Sequence, residues 1–262
     1  MQIPLELPED LPAFAPRRVR ALEVMGAPVQ LAWLPERQRR AGAGPGYRPG
    51  FERSPAARIL ADEAFARSET LALTPNRYPF AQQQRILWMA AATREPDLGF
   101  WISALDWADR ADGTVLLNTI GAAATIPRAH AHLTPERLPF LSQLGERAVA
   151  RDLIDVPADC ELVQKELPRC VLGVRGPVRG RAEALLRLAE ARPTPAWNVI
   201  AARDVAWAVP RAAQTPAPSF PAPLGAAELW GRYCYVDEGA FERSTAADLE
   251  SAFEQATVPA IE

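Results

Sequence analysis

Cysteine is scarce in this chain, and the few copies do not suit a crosslinked or zinc-binding protein. Three cysteines occur in 262 residues, at Cys160, Cys170 and Cys234, far apart and without a C-x-x-C spacing. An odd, dispersed set argues against a disulfide framework and against a cysteine-rich zinc site. Lysine is scarcer still, since Lys165 is the only one. Arginine therefore carries almost all of the positive charge, and its guanidinium suits bidentate contacts to phosphate.

Long apolar runs are also absent. No stretch of about 18 apolar residues occurs, so the sequence predicts no membrane span. Residues 1–10 are acidic and interrupted by proline, unlike the basic start and apolar run of a secretory signal. We therefore expect a cytoplasmic protein that does not act at a membrane. A net charge of −3, with 48% hydrophobic residues, is typical of a globular protein and gives no general affinity for nucleic acid.

Histidine is the third scarce residue, and its two copies lie almost together. His130 and His132 are the only histidines, two residues apart at the end of a glycine- and alanine-rich stretch. In a strand, a spacing of two places both imidazoles on the same face. A chain that has histidine only here is predicted to use it for chemistry, although a chance pairing is the alternative.

The spacing of apolar residues predicts an antiparallel α+β fold. Apolar residues recur at helical spacing from Trp101 to Ala108, which predicts a helix over 98–110 that ends at Gly113. Short apolar runs bounded by turn residues predict strands before and after that helix. The predicted strands are 29–34, 71–79, 85–90, 114–118, 197–202 and 205–211. This order predicts an antiparallel sheet with flanking helices, in two fused α+β units, and not a doubly wound sheet.

The remaining segments are predicted to be helices and loops. One helix is predicted through 182–189, and a C-terminal helix begins after Thr245, with Asp248 completing a capping box. Segment 173–180 carries glycine and arginine and is predicted to be a loop. Phosphate binding there stays open because the segment has no Walker pattern. Loop 41–50 either closes over an anionic ligand or is a solvated surface loop, and its flanking arginines are Arg37, Arg39, Arg40 and Arg48.

Three segments, in this order, resemble the histidine-triad-like superfamily. Within it they resemble the branch of the diadenosine tetraphosphate phosphorylases (ATP adenylyltransferases) and the galactose-1-phosphate uridylyltransferases. The first, 73–79, is similar to that branch's Leu-Asn-Lys-Phe-Pro stretch. The second, 118–134, is similar to Asn-x-x-Gly-Ala-Ala…Ser-x-Pro-His-x-His-x-Gln. The third, 197–229, is similar to Tyr-Asn-Leu-Leu…Trp…Val-Pro-Arg…Leu-Gly-Phe-Ala-Gly, which favours the phosphorylases over the shorter triad hydrolases.

The resemblance implies a nucleotidyltransferase or nucleotide phosphorylase that forms a covalent nucleotidyl-histidine. By resemblance His132 is the nucleophile, and His130 would hydrogen-bond a phosphate oxygen or the leaving group. The implied substrate is a nucleotide or another small phosphorylated molecule, and the implied oligomer is a homodimer. We predict no cofactor and no metal, because the chain lacks C-x-x-C and a third histidine. The implied substrate-binding residues are Asn76, Arg77, Gln84, Asn118, Gly121, Thr125, Arg128 and Thr134.

Two positions depart from the family pattern. Gln84 stands where the family often has a histidine, and Thr134 stands where this branch has glutamine. Because Pro135 and Glu136 follow it, Thr134 is either a helix N-cap or an active-site donor. These departures keep two alternatives open, namely an enzyme that uses the histidines for acid–base chemistry on another substrate, and a nucleotide-binding protein without turnover. The predicted organisation is an N-terminal extension with a loop (1–60), a nucleotide-binding half (61–156) and a C-terminal half (157–262).

Overall fold

The computed structural model describes residues 1–6, 8, 11–37, 50–52, 54–150 and 154–260. The basic loop predicted at 41–50 lies outside the described residues except for Gly50, and so do Arg39, Arg40 and Arg48. Among the described residues, no helix is long and apolar enough to cross a bilayer. The division of the chain at residues 60 and 156 stays a prediction.

Ten strands form one large sheet in which all neighbours pair antiparallel. The predicted α+β class with a large antiparallel sheet is therefore confirmed. The strands are β3 (Ala66–Arg67), β4 (Leu71–Pro75), β5 (Arg85–Met89), β6 (Thr114–Asn118), β7 (His130–Thr134), β8 (Glu146–Ala148), β9 (Glu161–Lys165), β10 (Leu172–Arg175), β11 (Trp197–Ala202) and β12 (Val205–Pro210).

The strand order of this sheet is mirrored about its centre. Side by side, the strands run β3-β4-β5-β7-β6-β11-β12-β10-β9-β8. Each half has five strands. Counted from its edge of the sheet to the centre, these are the first, second, third, fifth and fourth strands of that half along the chain. Two halves of similar topology therefore meet at the β6–β11 pair, where Asn118 lies opposite Asn198.

Two long helices cover one face of the large sheet. They are α2 (Leu98–Ala111) and α4 (Val178–Ala191), and they pack on each other over a core shared by both halves. The Asp97 side chain caps α2 by accepting from the Phe100 amide at 2.8 Å. The helix ends at Ala111, one residue beyond the predicted 98–110, and Asp112, whose φ of 48° is left-handed, is its C-cap in place of the predicted Gly113. The remaining helices are α1 (Ala56–Glu63), α3 (Phe140–Gln143), α5 (Ala226–Leu229), α6 (Glu238–Arg243) and α7 (Ala246–Ala256).

A second, three-stranded sheet belongs to the opposite face. It consists of β1 (Arg18–Val24), β2 (Ala27–Trp33) and β13 (Arg232–Tyr235), with β13 parallel to β2. Its apolar side chains share a core with β12, α5 and α7. The opposite face of β4, β5 and β7 instead has α1 beside it, where Leu60 packs with Trp88. This arrangement leaves room for a cavity over the first half of the sheet.

The segment predicted as a glycine-rich loop, 173–180, is not a loop. It divides between β10 and α4, with Pro177 at the N-cap of the helix. Gly173 lies inside the strand, paired with Trp207 and Val163, and the Trp207 ring occupies the space where a side chain would stand. A β-carbon there would lie 2.4 Å from that ring. The predicted loop is therefore limited to Gly176 and Pro177, and phosphate binding by this segment stays a prediction.

Replacing Gly173 by alanine is expected to lower the free energy of unfolding by about 1–3 kcal/mol, because the added methyl overpacks a buried core. The Trp207 ring cannot move away freely, since it is buried and lies 4.3 Å from the Lys165 ammonium. Gly99→Ala is the matched control, because its β-carbon would meet only Asp97, at 3.4 Å. Chemical denaturation measures both variants. A Gly173→Ala protein as stable as the original would contradict the close packing.

Candidate functional site

The two histidines lie on β7, on the face of the sheet opposite α2 and α4. The spacing of two predicts a shared face, and the imidazole centroids are indeed only 5.6 Å apart. Across the β5–β7 ladder, Trp88 pairs with His130 and Ile86 pairs with His132. Both imidazoles therefore belong to one site on the middle of a strand.

His130 is buried and fixed as a neutral imidazole. Its ring stacks on Trp88 with centroids 4.7 Å apart, and only 7% of the residue is exposed. Its Nδ1 lies 2.8 Å from the Arg128 carbonyl oxygen, which can only accept, so Nδ1 carries the proton. Burial lowers the pKa of His130 below its ordinary 6.5, although this hydrogen bond acts in the opposite direction. Near neutral pH, Nε2 is therefore an unprotonated acceptor.

His132 is the more accessible of the two. It is only partly buried, and it meets Phe80 edge to face with centroids 5.2 Å apart. Phe80 in turn lies under the Arg37 guanidinium, 5.4 Å from the ring centroid. The Phe80 ring thus packs against one side of His132, and the His132 imidazole lines an open cavity.

The cavity in front of the histidines has a volume of about 580 Å³. Three arginines line it, Arg37, Arg58 and Arg77, together with the Glu63 carboxylate. Arg77 pairs with Glu63 at 2.9 Å, whereas Arg37 and Arg58 form no ion pair within the part of the chain that the structure describes. The cavity also takes in both histidines and three of the other predicted residues, namely Asn76, Asn118 and Thr125. Its excess of positive charge suits an anionic ligand.

A buried polar chain fixes the orientation of Asn118. The Asn118 Oδ1 accepts from Asn198 Nδ2 and from the Ala226 amide, both at 2.7 Å. Arg211 donates to Asn198 Oδ1 at 2.5 Å, so the Asn198 nitrogen must point to Asn118. With its oxygen committed in this way, Asn118 has its NH₂ group left for a ligand in the cavity that it lines. Asn118 can therefore donate to an anion but not accept from it.

The turn after β6 lines the same cavity and has backbone amides that are not used within the turn. The amides of Ala122 and Ala124 donate to the Thr119 carbonyl and are thereby used within the turn. Ala123, with a φ of 73°, and Thr125 line the cavity, and their amides make no backbone hydrogen bond among the described residues. Gly121 has a φ of 89° and shapes the turn without lining the cavity. The turn offers two donors to a phosphate oxygen.

Gln84 does not line the cavity, although the family resemblance implied that it binds the substrate. It is fully buried, and its Oε1 accepts from Asn76 Nδ2 at 2.6 Å and from the Phe80 amide at 2.9 Å. It therefore holds the β4–β5 loop and positions Asn76, which does line the cavity.

Thr134 and Arg128 also lie outside the cavity. The Thr134 hydroxyl donates to the Gln82 carbonyl at 2.9 Å and accepts from the Glu136 amide at 3.2 Å. The N-cap role predicted for Thr134 is wrong, because no helix begins there, and Thr134 does not line the cavity. Arg128 donates to the carbonyls of Met89 and Ala90, so it closes the end of β5.

Several residues of the site were not predicted from the sequence. Trp88 and Arg58 line the cavity, and Asn198 orients Asn118 from the other half of the sheet. Trp88 could have been found, because a strand pairing with β7 places it opposite His130. Arg58 precedes any motif, and only the fold brings it near. Among the described residues, no three His, Cys, Asp or Glu side chains cluster as metal ligands, and the absence of a metal stays a prediction.

The titration of His130 is testable because the chain has only two histidines. NMR of the imidazole C–H protons should give two titration curves, assigned with His130→Gln, with the His130 curve lying below 6.5. Because the pKa of His130 is higher in the unfolded chain than in the folded one, protonation favours unfolding. The contribution of His130 to the free energy of unfolding should therefore be fully present above about pH 6.5 and should be lost as the pH falls towards the folded-state pKa. His130→Gln should lose that part of the pH dependence. A His130 curve above 6.5 would contradict the burial.

No protein-family model matches the sequence, and no curated protein matches it. Solved structures of yeast Ap4A phosphorylase Apa2 match the fold over nearly the whole of both chains. The complex with Ap4A has a TM-score of 0.67 at 12% identity and covers 96% of this chain and 92% of that one. The complex with AMP has a TM-score of 0.68 at 11% identity, with coverage of 96% and 91%. Likeness at this identity concerns the fold alone, and the chain therefore has the fold of yeast Ap4A phosphorylase Apa2.

Proposed function

We propose that this protein is a nucleotidyltransferase of the nucleotide phosphorylase type, acting through a covalent nucleotidyl intermediate on His132. The observation that carries the proposal is that His132 lines a cavity with a neutral partner, His130, and three arginines. The fold supports it, because the matching yeast phosphorylase structures contain Ap4A and AMP. The proposed substrate is a nucleoside polyphosphate or a nucleotide sugar.

The proposed reaction has two in-line steps. In the first, a His132 nitrogen attacks the α-phosphorus, a P–N bond forms, and the bond from that phosphorus to the leaving oxygen breaks. In the second, an acceptor such as phosphate or a sugar phosphate attacks the same phosphorus, the P–N bond breaks, and His132 is regenerated. Little else is required beyond holding the phosphates and neutralising their oxygens. Arg37, Arg58, the Asn118 amide and the turn amides would do this.

His130 has a distinct role in this scheme. Because its Nε2 is an acceptor near neutral pH, it cannot donate a hydrogen bond to a bare phosphate oxygen. It can instead accept a proton from the incoming acceptor in the second step. The donor role implied by the family resemblance would require a protonated ring, which burial disfavours.

Intact-mass measurement after incubation with a nucleotide panel tests the proposal. ATP, Ap4A and ADP-glucose are suitable donors, and the expected product is an adduct of one nucleoside monophosphate that His132→Ala does not form. His130→Gln, on the same strand face, is the matched control and should still form the adduct. No adduct from any donor, with turnover surviving in His132→Ala, would overturn the covalent route.

A second candidate is a nucleotide-binding protein without turnover. It is favoured by Thr134, whose hydroxyl is used by Gln82 and Glu136 and so cannot hold a nucleotidyl-enzyme as the family's glutamine is implied to do. Calorimetry separates the candidates. Nucleotide binding with neither adduct nor product would favour the binder.

A further inference from the structure

A second cavity, of about 370 Å³, lies over the other half of the large sheet. Its lining residues come from β10, β11 and β12, from α3 and the segment before it, and from Trp230. Among the described residues, it shares no lining residue with the histidine cavity. Its volume lies within the range of small-ligand sites, about 300–1,000 Å³.

The strand pairing makes this second cavity the counterpart of the histidine cavity. One row of directly paired residues crosses the sheet through Ile86, His132, Leu116, Ile200, Trp207 and Gly173. The halves meet between Leu116 and Ile200, so Trp207 has the position in the second half that His132 has in the first. Paired residues of antiparallel strands point to the same face, so both rings lie on the face opposite α2 and α4. With neighbouring strands about 4.8 Å apart, the two positions are roughly 14 Å apart.

A second set of pairs repeats this correspondence. His130 pairs with Trp88 in the first half, and Val205 pairs with Arg175 in the second half. His130 lies two residues before His132, just as Val205 lies two residues before Trp207. Val205 and Arg175 line the second cavity, as His130 and Trp88 line the first. The second half therefore keeps a cavity at the equivalent place, with valine and tryptophan where the first half has its histidines.

The second cavity also keeps the positive charge of the first. Four cations line it, and none of its described lining residues carries a carboxylate; the cations are Arg137, Lys165, Arg175 and Arg203. Three carboxylates outside the lining pair with these four cations, namely Asp112, Glu146 and Asp204. Glu146 is shared, since it lies 3.0 Å from the Lys165 ammonium and 2.7 Å from the Arg175 guanidinium. The set of charges therefore has one cation in excess, which favours an anionic ligand.

Arg203 is the cation best placed to take up a ligand. Its side chain is 59% exposed at the β11–β12 turn, and it approaches Asp204 only to 4.0 Å. A guanidinium has five N–H donors, so most of those of Arg203 are left for the oxygens of a phosphate. The apolar part of the lining includes two tryptophans, Trp207 and Trp230. Aromatic surface beside arginine suits a planar base that carries a phosphate.

We propose that the second cavity binds a nucleoside monophosphate without converting it. The phosphate lies against Arg203 and Arg175, and the base lies against the tryptophans. Both histidines of the chain line the first cavity, so a ligand held in the second meets no histidine nucleophile. The class of ligand rests on the proposed function, whereas the place of the site rests on the repeated register and the charges.

Binding of AMP to matched variants tests the second cavity. Arg203→Glu reverses the exposed cation, and Ala202→Phe fills the space from a partly exposed position. Arg58→Glu instead reverses a cation of the histidine cavity. Arg179→Glu is the control, because it reverses an exposed arginine on α4 that lines neither cavity. Calorimetry gives the number of AMP molecules bound, and the NMR signal of the Trp207 indole N–H, assigned with Trp207→Phe, reports on the second cavity.

The expected result is two AMP molecules per chain and a Trp207 signal that shifts on addition of AMP. Arg58→Glu should keep this shift with one AMP bound, and Arg179→Glu should behave as the original protein. Arg203→Glu and Ala202→Phe should each lower the affinity of the second cavity by about tenfold or more, so that the shift is lost at the same AMP concentration.

A Trp207 signal that does not move at millimolar AMP would overturn the inference, and so would a shift that is lost in Arg58→Glu but kept in Arg203→Glu. If the adduct on His132 forms while the Trp207 signal stays unchanged, the proposed function stands and only this inference fails. If AMP shifts the Trp207 signal while no donor gives an adduct, the second site stands and the covalent route fails.

Discussion

A protein carrying Arg211→Met is expected to have a free energy of unfolding about 3–5 kcal/mol lower than the original chain. Arg211 is 2% exposed, and its guanidinium donates to Asn198 Oδ1 and to the carbonyls of Ala213, Leu224 and Ala256. Methionine fills much of the space but donates nothing, so four acceptors lose their partner, and three of these hydrogen bonds are buried. Burial lowers the pKa of Arg211 to about 10, partly offset by the nearby Glu228 carboxylate, and the side chain is still charged at neutral pH.

The loss should extend to the site, because Arg211 fixes Asn198 and Asn198 orients Asn118. Nucleotide affinity should therefore fall together with stability. Arg179→Met is the matched control, since the same substitution on an exposed arginine should change stability by no more than about 0.5 kcal/mol. Denaturant unfolding measures both. An Arg211→Met protein as stable as the control would show that the buried network does not support the fold.

If the proposed covalent route holds, His132→Ala is expected to lower the rate of nucleotidyl transfer by a factor on the order of 10⁴–10⁶, because it removes the atom that carries the nucleotide in that route. His130→Gln should cost less, about 10²–10⁴-fold, since it removes a proton acceptor and leaves the nucleophile. Rapid-quench kinetics should place the His130 effect on the second step, with the adduct accumulating in His130→Gln. Equal losses of rate in both variants, with no adduct in either, would show that His132 is not the nucleophile.

The pH profile provides an independent check on the role of His130. If His130 accepts the proton of the incoming nucleophile, the second step should slow as the pH falls through the folded-state pKa of His130, which lies below 6.5. His130→Gln should flatten that limb of the profile. A second step that accelerates at low pH would instead favour a protonated His130 acting as a donor.

Local patterns in the sequence predicted the elements that carry the histidines. The helix α2, the strands β4, β5 and β6, and the β11–β12 pair lie where apolar spacing and turn residues place them. The capping box of α7 is present, with the Thr245 amide donating to Asp248 at 2.9 Å. These features depend on neighbours within a few residues. The sequence therefore sufficed to predict the shared face of the histidine pair.

What the sequence could not predict depends on distant partners. Gly173 is paired within a strand, and the Trp207 ring, 34 residues away in the chain, fills its side-chain space. Gln84 and Thr134 both depart from the family motif. Gln84 is hydrogen-bonded within the β4–β5 loop, Thr134 is hydrogen-bonded to the Gln82 carbonyl, and neither lines the cavity. The β1–β2 hairpin was also missed, although Met25 and Gly26, both at positive φ, form its two-residue turn.

The mirrored sheet interlocks the two halves of the chain. If the polypeptide were divided between β7 and β8, the first fragment would lose β11 from β6, and β2 would lose β13. Each fragment would then expose an unpaired strand edge and one bare side of the α2–α4 contact. Neither fragment would fold as a smaller copy of the whole protein. The two fragments together contain every strand of the sheet, and so all the strand pairs needed to reassemble. Asn118 would regain its fixed orientation only on reassembly, since the Asn198 and Ala226 groups that orient it come from the second fragment.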